Sequence, residues 1–322
     1  MRVLVTGGAG FIGSHLCDRL ADSGEEVVIL DDFSTGSRAN LARLEGARNV
    51  TLIEGDVREL ESGIVGQPPD LVFHLAAAVG VRTILDKPLH SLETNLKGTE
   101  RVLAAAQDWQ ASVVVASTSE VYGKNDSGAL SEQADRVLGA GELARWWYAV
   151  AKMADEALAL ACHREGRVRA LVVRLFNTVG PRQTGRYGMV LPTLVRQALE
   201  GEPLTVYGDG HQTRCFTYVE DTVKALMVLA GSAEAYGQIF NIGQPEEISI
   251  NQLAERVLAL TGSQGSITHI PYEEAYGESY EDMRRRVPDC SLLSRTIGFA
   301  PSNRLDEAIE AVVREQRSCA PA

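Results

Sequence analysis

The run Thr6-Gly7-Gly8-Ala9-Gly10-Phe11-Ile12-Gly13 constrains this chain more than any other feature. It follows an apolar segment, Arg2 to Val5, that reads as a buried strand, and it opens an amphipathic segment, Ile12 to Ser23, that reads as a helix ended by Gly24. A strand that turns at once into a helix needs backbone freedom at the corner. Gly7 permits the tight turn, Gly10 lets backbone amides approach a ligand, and Gly13 lets helix and strand pack closely. The amides at the start of that helix carry its partial positive charge, so Phe11, Ile12 and Gly13 form a seat for a phosphate.

Further runs rich in Val, Ile and Leu follow at Glu25 to Leu30, Asn49 to Ile53, Leu71 to His74, Ser112 to Ala116 and Arg169 to Leu175. They read as parallel strands covered on both faces, joined by helical crossovers such as Ser91 to Asp108. This alternation predicts an α/β fold, a doubly wound parallel Rossmann sheet. Beyond Asn177, Gly and Pro punctuate the chain more densely, which predicts a smaller mixed α/β C-terminal substrate lobe. The expected division is 1–176 for the dinucleotide-binding domain and 177–322 mainly for the smaller substrate lobe, with about 215–245 returning to the first domain. Asp31, ending the second strand, suits the adenosine ribose hydroxyls and repels a 2′-phosphate, which predicts NAD rather than NADP. Arg38 nearby is the cation that works the other way. Asp56-Val57, after the third strand, either brackets the adenine or forms a turn.

Composition narrows the partners. The 322 residues are 45% hydrophobic with a net charge of −12, a balance that disfavours nucleic acid and anionic membrane surfaces. Five scattered cysteines suggest neither a disulfide framework nor a metal knuckle, and a reducing cytoplasm is expected. The N-terminal residues run straight into a strand, without the pattern of a signal peptide, and no apolar run is long enough to span a bilayer. His15, His74 and His211 lack metal-ligand spacing; no metal is expected, and His74 at a strand end reads as a packed core residue.

Tyr148 and Lys152, four residues apart, share one face of a helix. An ammonium close to a phenol favours its phenolate and turns the tyrosine into a usable general base. Ser117-Thr118-Ser119-Glu120-Val121-Tyr122-Gly123 follows the fifth strand, at the sheet's carboxyl edge, where Thr118 can hydrogen-bond the same substrate hydroxyl.

These segments, with His74-Leu75-Ala76-Ala77 and Arg174-Leu175-Phe176-Asn177-Thr178-Val179-Gly180-Pro181, resemble the extended short-chain dehydrogenases that remodel UDP-sugars. The resemblance covers nearly the whole chain. It implies that Tyr148 removes the proton of the sugar's 4-hydroxyl while NAD takes the C4 hydride, and that Leu75, Ala76 and Ala77 border the cofactor. It also implies a homodimer formed through the helices around Ser91 to Asp108 and Tyr148 to Arg164.

Within the family, Thr118-Ser119-Glu120 and Arg145-Trp146-x-Tyr148-x-x-x-Lys152 resemble the UDP-glucuronate decarboxylases. Dehydratases carry an acidic residue where this chain has Ser119, a hydroxyl too weak to expel water. The segment Tyr280 to Asp289 resembles the one in which decarboxylases set an arginine, here Arg286, against the substrate carboxylate; a basic surface turn is the alternative. Ala78-Val79-Gly80-Val81-Arg82 instead reads like a 4-epimerase, so UDP-sugar 4-epimerase is the alternative function. A non-catalytic NAD-binding regulator is the third reading, opposed by Thr118, Tyr148 and Lys152. Trp147 is expected to narrow the pocket by its bulk. The resemblance further implies that Asn177 contacts the diphosphate, Arg214 neutralises it, and Leu204 to Tyr207, including Thr205 and Tyr207, line the uracil, with Val190, Leu191 and Tyr280 completing the substrate set. Arg182 and Arg186 are further cations near these motifs, or else surface arginines.

Overall fold

Six of the apolar runs become parallel strands: β1 (Arg2–Thr6), β2 (Glu26–Asp31), β3 (Val50–Glu54), β4 (Leu71–His74), β5 (Ser112–Thr118) and β6 (Arg169–Leu175). A seventh, β7 (Ile239–Ile242), joins the edge beside β6 and was not among the runs read from sequence. The order is β7-β6-β5-β4-β1-β2-β3 in the computed structural model, which describes residues 1–185, 189–276 and 283–319. The order reverses between β1 and β4, so a crevice opens at the carboxyl ends of those strands.

Alternation along each strand feeds two cores. Val3, Val5, Val27, Ile29 and Phe73 pack under α1 (Phe11–Asp22), whereas Leu4, Val28, Leu30, Val72 and Val115 pack under α2 (Pro88–Trp109) and α3 (Trp147–Arg164). Burial on both faces explains why the strands read as continuous apolar runs. The remaining long helices are α4 (Val190–Glu200), α5 (Val219–Gly231), α6 (Ile250–Thr261) and α7 (Leu305–Cys319). Of these, α5 packs beside α1 through Val219, Val223 and Leu226. Helices α4, α6 and α7 share a third core around Leu194, Leu253 and Ile309. Short two-stranded ribbons complete this part, Leu204–Tyr207 with Ile267–Ile270 and Thr213–Cys215 with Glu247–Ser249. Among the described residues, no helix is long and apolar enough to cross a membrane.

Helix α3 is pinned to the sheet by charge. Glu156, 0% exposed, accepts Ser117 Oγ of β5 at 2.6 Å, Arg174 Nε and Nη2 of β6 at 2.9 and 2.8 Å, and Arg136 Nη2 at 2.6 Å. Arg174, itself 1% exposed, also donates to the Tyr122 hydroxyl at 2.8 Å and the Glu132 carbonyl at 3.0 Å. Removing one partner of such a pair strands a buried charge. Glu156→Ala is therefore expected to lower stability by about 3–5 kcal/mol, read as a shift of the urea midpoint at unchanged slope; a change within about 0.5 kcal/mol refutes this account of the helix anchor.

Candidate active site

The glycine corner has the shape that the sequence implies. Gly7 adopts φ +71°, and a Cβ there would stand 2.7 Å from the Ala76 nitrogen; a Cβ on Gly13 would overlap the Gly7 carbonyl oxygen. Helix α1 begins at Gly10 without a side-chain cap and with no acidic residue in its first turn. Its first amides are thus left for an outside acceptor. Asp31 Oδ2 accepts Ala9 N–H at 2.9 Å and Oδ1 accepts Phe33 N–H at 2.8 Å, which orients the carboxylate at the end of β2. Burial pushes this carboxyl above the ordinary aspartate range, with the two N–H donors opposing. Arg38 lies 4.3 Å over the Phe33 ring and forms an ion pair with Glu54, so that cation is already matched by a carboxylate. An uncapped helix end, a corner closed to any Cβ and an oriented acceptor together fit NAD.

Of the two readings of Asp56, the turn dominates: its side chain caps the turn Val57–Glu59 by accepting Arg58 N–H at 2.8 Å, and it pairs with the Arg58 guanidinium. Val57 is buried in the core. Ala76 packs against Gly7 and donates its N–H to Thr6 Oγ1 at 3.3 Å; Leu75 packs on the first core. Burial, reinforced by Lys152, lowers the His74 pKa to about 3; the ring bridges Thr6 and Thr99 at 2.8 and 3.1 Å, the role of a neutral core histidine.

Tyr148 and Lys152 share a face of α3, and a carboxylate on the same helix also meets the ammonium. Lys152 Nζ donates to Asp155 Oδ2 at 2.7 Å, both side chains being buried. Burial pushes the Tyr148 phenol well above its ordinary pKa, Glu120 and Asp155 push it further, and hydrogen bonding from Thr118 opposes them. Asp155, three residues on from Lys152, thus both holds the ammonium and raises the phenol's pKa. Positive charge brought beside the phenol is what ionises it.

Glu120 opens the turn that follows Thr118, after the buried Ser119, and stands between two guanidinium groups. Arg145 Nη1 contacts Oε2 at 2.6 Å and Arg286 pairs with Oε1, while Arg286 Nη2 donates to Asn177 Oδ1 at 2.9 Å. Burial alone would raise the Glu120 carboxyl, but Arg145 and Arg286 hold it far below the ordinary range. The segment carrying Arg286 reaches this place because Val287–Pro288 pairs with Ala129–Leu130, and Asn241 of β7 ties both together by donating to the Leu130 and Asp289 carbonyls at 2.8 and 3.1 Å. The surface-turn alternative for Arg286 is thereby removed, since its side chain is 6% exposed.

Other expectations fare differently. Arg214 is 7% exposed and donates to the Thr213 carbonyl at 2.8 Å on a strand bound to Arg284, close to Arg286. Leu191 is wholly buried in the third core and offers no surface to a ligand. Val190 packs beside that core. Thr205 exchanges hydrogen bonds with Gln197 at 2.9 and 3.0 Å, a tie within the lobe, and the Tyr207 carbonyl accepts Gln212 at 2.9 Å. Arg182 is claimed by Asp18 at 2.7 Å and, through its N–H, by Glu315, so it is a structural arginine. Trp147 is half-buried, and its indole donates to the Gly141 carbonyl at 2.7 Å. Tyr280 and Arg186 lie outside the described residues. Sequence reasoning quoted Arg145 without giving it a role and passed over Asp155; the signal for Arg145 was its place one helical turn ahead of Tyr148.

Gly13→Ala is expected to abolish copurified dinucleotide and weaken NAD binding at least about tenfold (about 1.4 kcal/mol), measured by nucleotide release and titration. Full NAD occupancy in that variant would contradict the role of the corner.

The family model described as "NAD dependent epimerase/dehydratase family" matches residues 3–243. A UDP-N-acetyl-alpha-D-glucosaminuronate decarboxylase of Bacillus cytotoxicus is 40% identical over 97% of this chain and 97% of its own. UDP-glucuronic acid decarboxylase 1 of Xenopus tropicalis is 37% identical over 97% of this chain and 71% of its own length. Among solved structures, a UDP-glucuronic acid 4-epimerase from Bacillus cereus, in complex with UDP-glucuronic acid and NAD, superposes with TM-score 0.89 at 30% identity, covering 99% of this chain and 100% of that one. The match over residues 3–243, together with these relatives, shows that the chain belongs to the NAD-dependent epimerase/dehydratase family.

Proposed function

We propose that this protein is a UDP-uronate decarboxylase acting on UDP-glucuronate and yielding UDP-xylose or its 4-keto intermediate. The observation that carries this reading is the buried pairing of Arg286 with Glu120, two residues after Thr118, which holds a guanidinium on the carboxylate that acts on the tyrosine base. NAD, when bound, supplies the acceptor and later the donor of the C4 hydride. Tyr148 takes the proton of the 4-hydroxyl, and Thr118 orients that hydroxyl against it. Once C4 is a ketone, the C6 carboxylate is β to it and can leave as carbon dioxide, its bonding electron pair passing to an enolate across C4 and C5. A proton added at C5 completes the loss. Glu120, lowered in pKa by Arg145 and Arg286, fixes Arg286. Asn177 and Arg214 are assigned to the diphosphate, Arg214 by its burial near Arg286.

Two alternatives have specific support. The relative from Bacillus cytotoxicus, matched end to end, is named for a sugar with an acetamido group, which favours UDP-N-acetylglucosaminuronate as a second candidate. The close superposition on a UDP-glucuronic acid 4-epimerase favours 4-epimerisation, which shares the C4 oxidation. Incubation with each UDP-uronate is expected to release one carbon dioxide per sugar from the preferred one; an epimer of unchanged mass from both substrates rejects decarboxylation. Tyr148→Phe is expected to lower kcat by roughly 10²–10⁴-fold with NAD occupancy unchanged, and unimpaired turnover rejects Tyr148 as the base.

The functional division follows 1–176 for NAD and 177–322 for the nucleotide sugar, with α5 and β7 packed on the first part. We assign the protein to a reducing cytoplasm, in keeping with the free thiols of Cys17, Cys162, Cys215 and Cys290. It pairs as a homodimer through α2 and α3, which lie side by side and expose Leu89 and Leu96, and Val150 and Leu158. Such residues on adjacent helices suit a second copy of the same surface. Leu89→Glu combined with Val150→Glu is expected to halve the mass seen by light scattering; a monomeric parent protein refutes the assignment.

A further inference from the structure

A string of buried polar side chains joins the glycine corner to the helix that carries the tyrosine. Ala76 N–H donates to Thr6 Oγ1 at 3.3 Å, Thr6 Oγ1 lies 2.8 Å from His74 Nδ1, and His74 Nε2 lies 3.1 Å from Thr99 Oγ1. Hydrogen bonding from Thr99 acts in turn on the Asp155 carboxylate, which accepts Lys152 Nζ at 2.7 Å. Strands β1 and β4 and helices α2 and α3 each supply a link, and at its far end Ala76 abuts Gly7. Thr6, His74, Thr99, Lys152 and Asp155 are all at most 2% exposed.

The carboxylate on this string acts on two functional groups in opposite senses. It holds the ammonium that favours the phenolate, and, after burial and Glu120, it raises the phenol's own pKa. A buried ammonium without a matched anion is costly, so Asp155 explains how Lys152 stays inside. The surrounding groups are matched elsewhere. His74 is neutral, its pKa lowered to about 3 by burial and by Lys152. Glu156, next along the helix, is bound by Arg174 and Arg136, and Glu120, on the turn after β5, is paired with Arg145 and Arg286. Burial raises the Asp155 carboxyl, with Lys152 and Thr99 opposing and Glu156 adding to the rise.

We propose that Asp155 is a positioning residue: it fixes the Lys152 ammonium to the string from the glycine corner and so sets the pH at which Tyr148 works as the base. The inference rests on Tyr148 being that base. Proton removal needs an ionised phenol and therefore rises with pH through the phenol's pKa, and a carboxylate that raises this pKa moves the rise to higher pH. Loss of the Asp155 charge lifts that repulsion and frees the ammonium for the phenol. Both effects favour ionisation.

In the test, NAD-loaded protein is titrated with base while tyrosinate absorbance is read, and subtracting the same titration of Tyr148→Phe isolates one phenol among the nine tyrosines. Asp155→Asn is expected to make that phenol about tenfold easier to ionise, whereas Asp155→Glu keeps the parent curve. A merely structural role lowers stability and leaves the curve in place, which overturns the proposal. So does a shift to higher pH, or an Asp155→Glu curve displaced as far as that of Asp155→Asn, which assigns the effect to shape rather than charge. Unimpaired turnover of UDP-glucuronate by Tyr148→Phe sinks the base reading, an outcome separate from the titration. Should Asp155→Asn fail to fold, Thr99→Val decides, because without that hydroxyl the carboxyl takes up a proton more readily. A smaller shift to lower pH then supports the proposal, and no shift or the opposite one refutes it.

Discussion

The carboxylate of Glu156 fixes the register of helix α3 against the sheet, and the catalytic geometry follows from that register. Tyr148, Lys152 and Glu156 stand at successive four-residue steps and so line one face of the helix. The last of them grips Ser117 at the end of β5, one residue before Thr118, as well as Arg174 on β6. A helix held to two strands by a buried carboxylate cannot slide by a turn without breaking the pair, which leaves Arg174 stranded. Tyr148 is thus presented to Thr118 by an interaction eight residues away that touches neither cofactor nor sugar. Positioning and chemistry are separated along one helix face.

Around that face the charges are arranged in neighbouring cells. Lys152 is matched by Asp155, and Glu120 is matched twice over, by Arg145 and Arg286. Burial raises the Tyr148 pKa, and the Glu120 and Asp155 carboxylates raise it further. At a separation of 4 Å and an effective dielectric constant near 20, a unit charge is worth about 4 kcal/mol, enough to move a phenol by several pKa steps. A cationic nicotinamide brought near, or a shift of Lys152 from Asp155 toward the phenol, acts in the direction of ionisation.

The strands and the glycine corner were legible because their signals are local: apolar runs buried on both faces, and three glycines at a strand-to-helix junction. Strand β7 was not, since Ile239-Phe240-Asn241-Ile242 places a polar residue inside a four-residue run, and that residue is tolerated only because Tyr122, Leu130, Glu132 and Asp289 satisfy it. Asp155 as a partner of Lys152 was passed over for the opposite reason. Spacing brought Tyr148 to its side, but Asp155, three residues on, was the partner that local charge favoured. Leu191 and Arg182 look like site residues in the linear text and are a core leucine and a structural arginine in space, because what decides them, the third core and Asp18, is distant in sequence.

Asn241 also explains how a residue near the end of the chain enters a site built near the middle. Its side chain holds the Leu130 carbonyl and the Asp289 carbonyl, flanking the ribbon of Ala129–Leu130 and Val287–Pro288, and Arg286 is the residue immediately before that ribbon. The guanidinium is therefore delivered to Glu120 by an edge strand of the sheet rather than by the substrate lobe alone. In the proposed reaction, oxidation at C4 rests on Tyr148, Thr118 and the dinucleotide corner on the rigid sheet. In that reaction the fate of the ketone depends on the charge opposite C5 and C6, which the proposal assigns to Arg286, held beside a two-residue ribbon locked through one buried amide. A branch point in chemistry then requires little change in fold: the same sheet can serve a decarboxylase or an epimerase according to which cation the ribbon presents and which carboxylate already holds it.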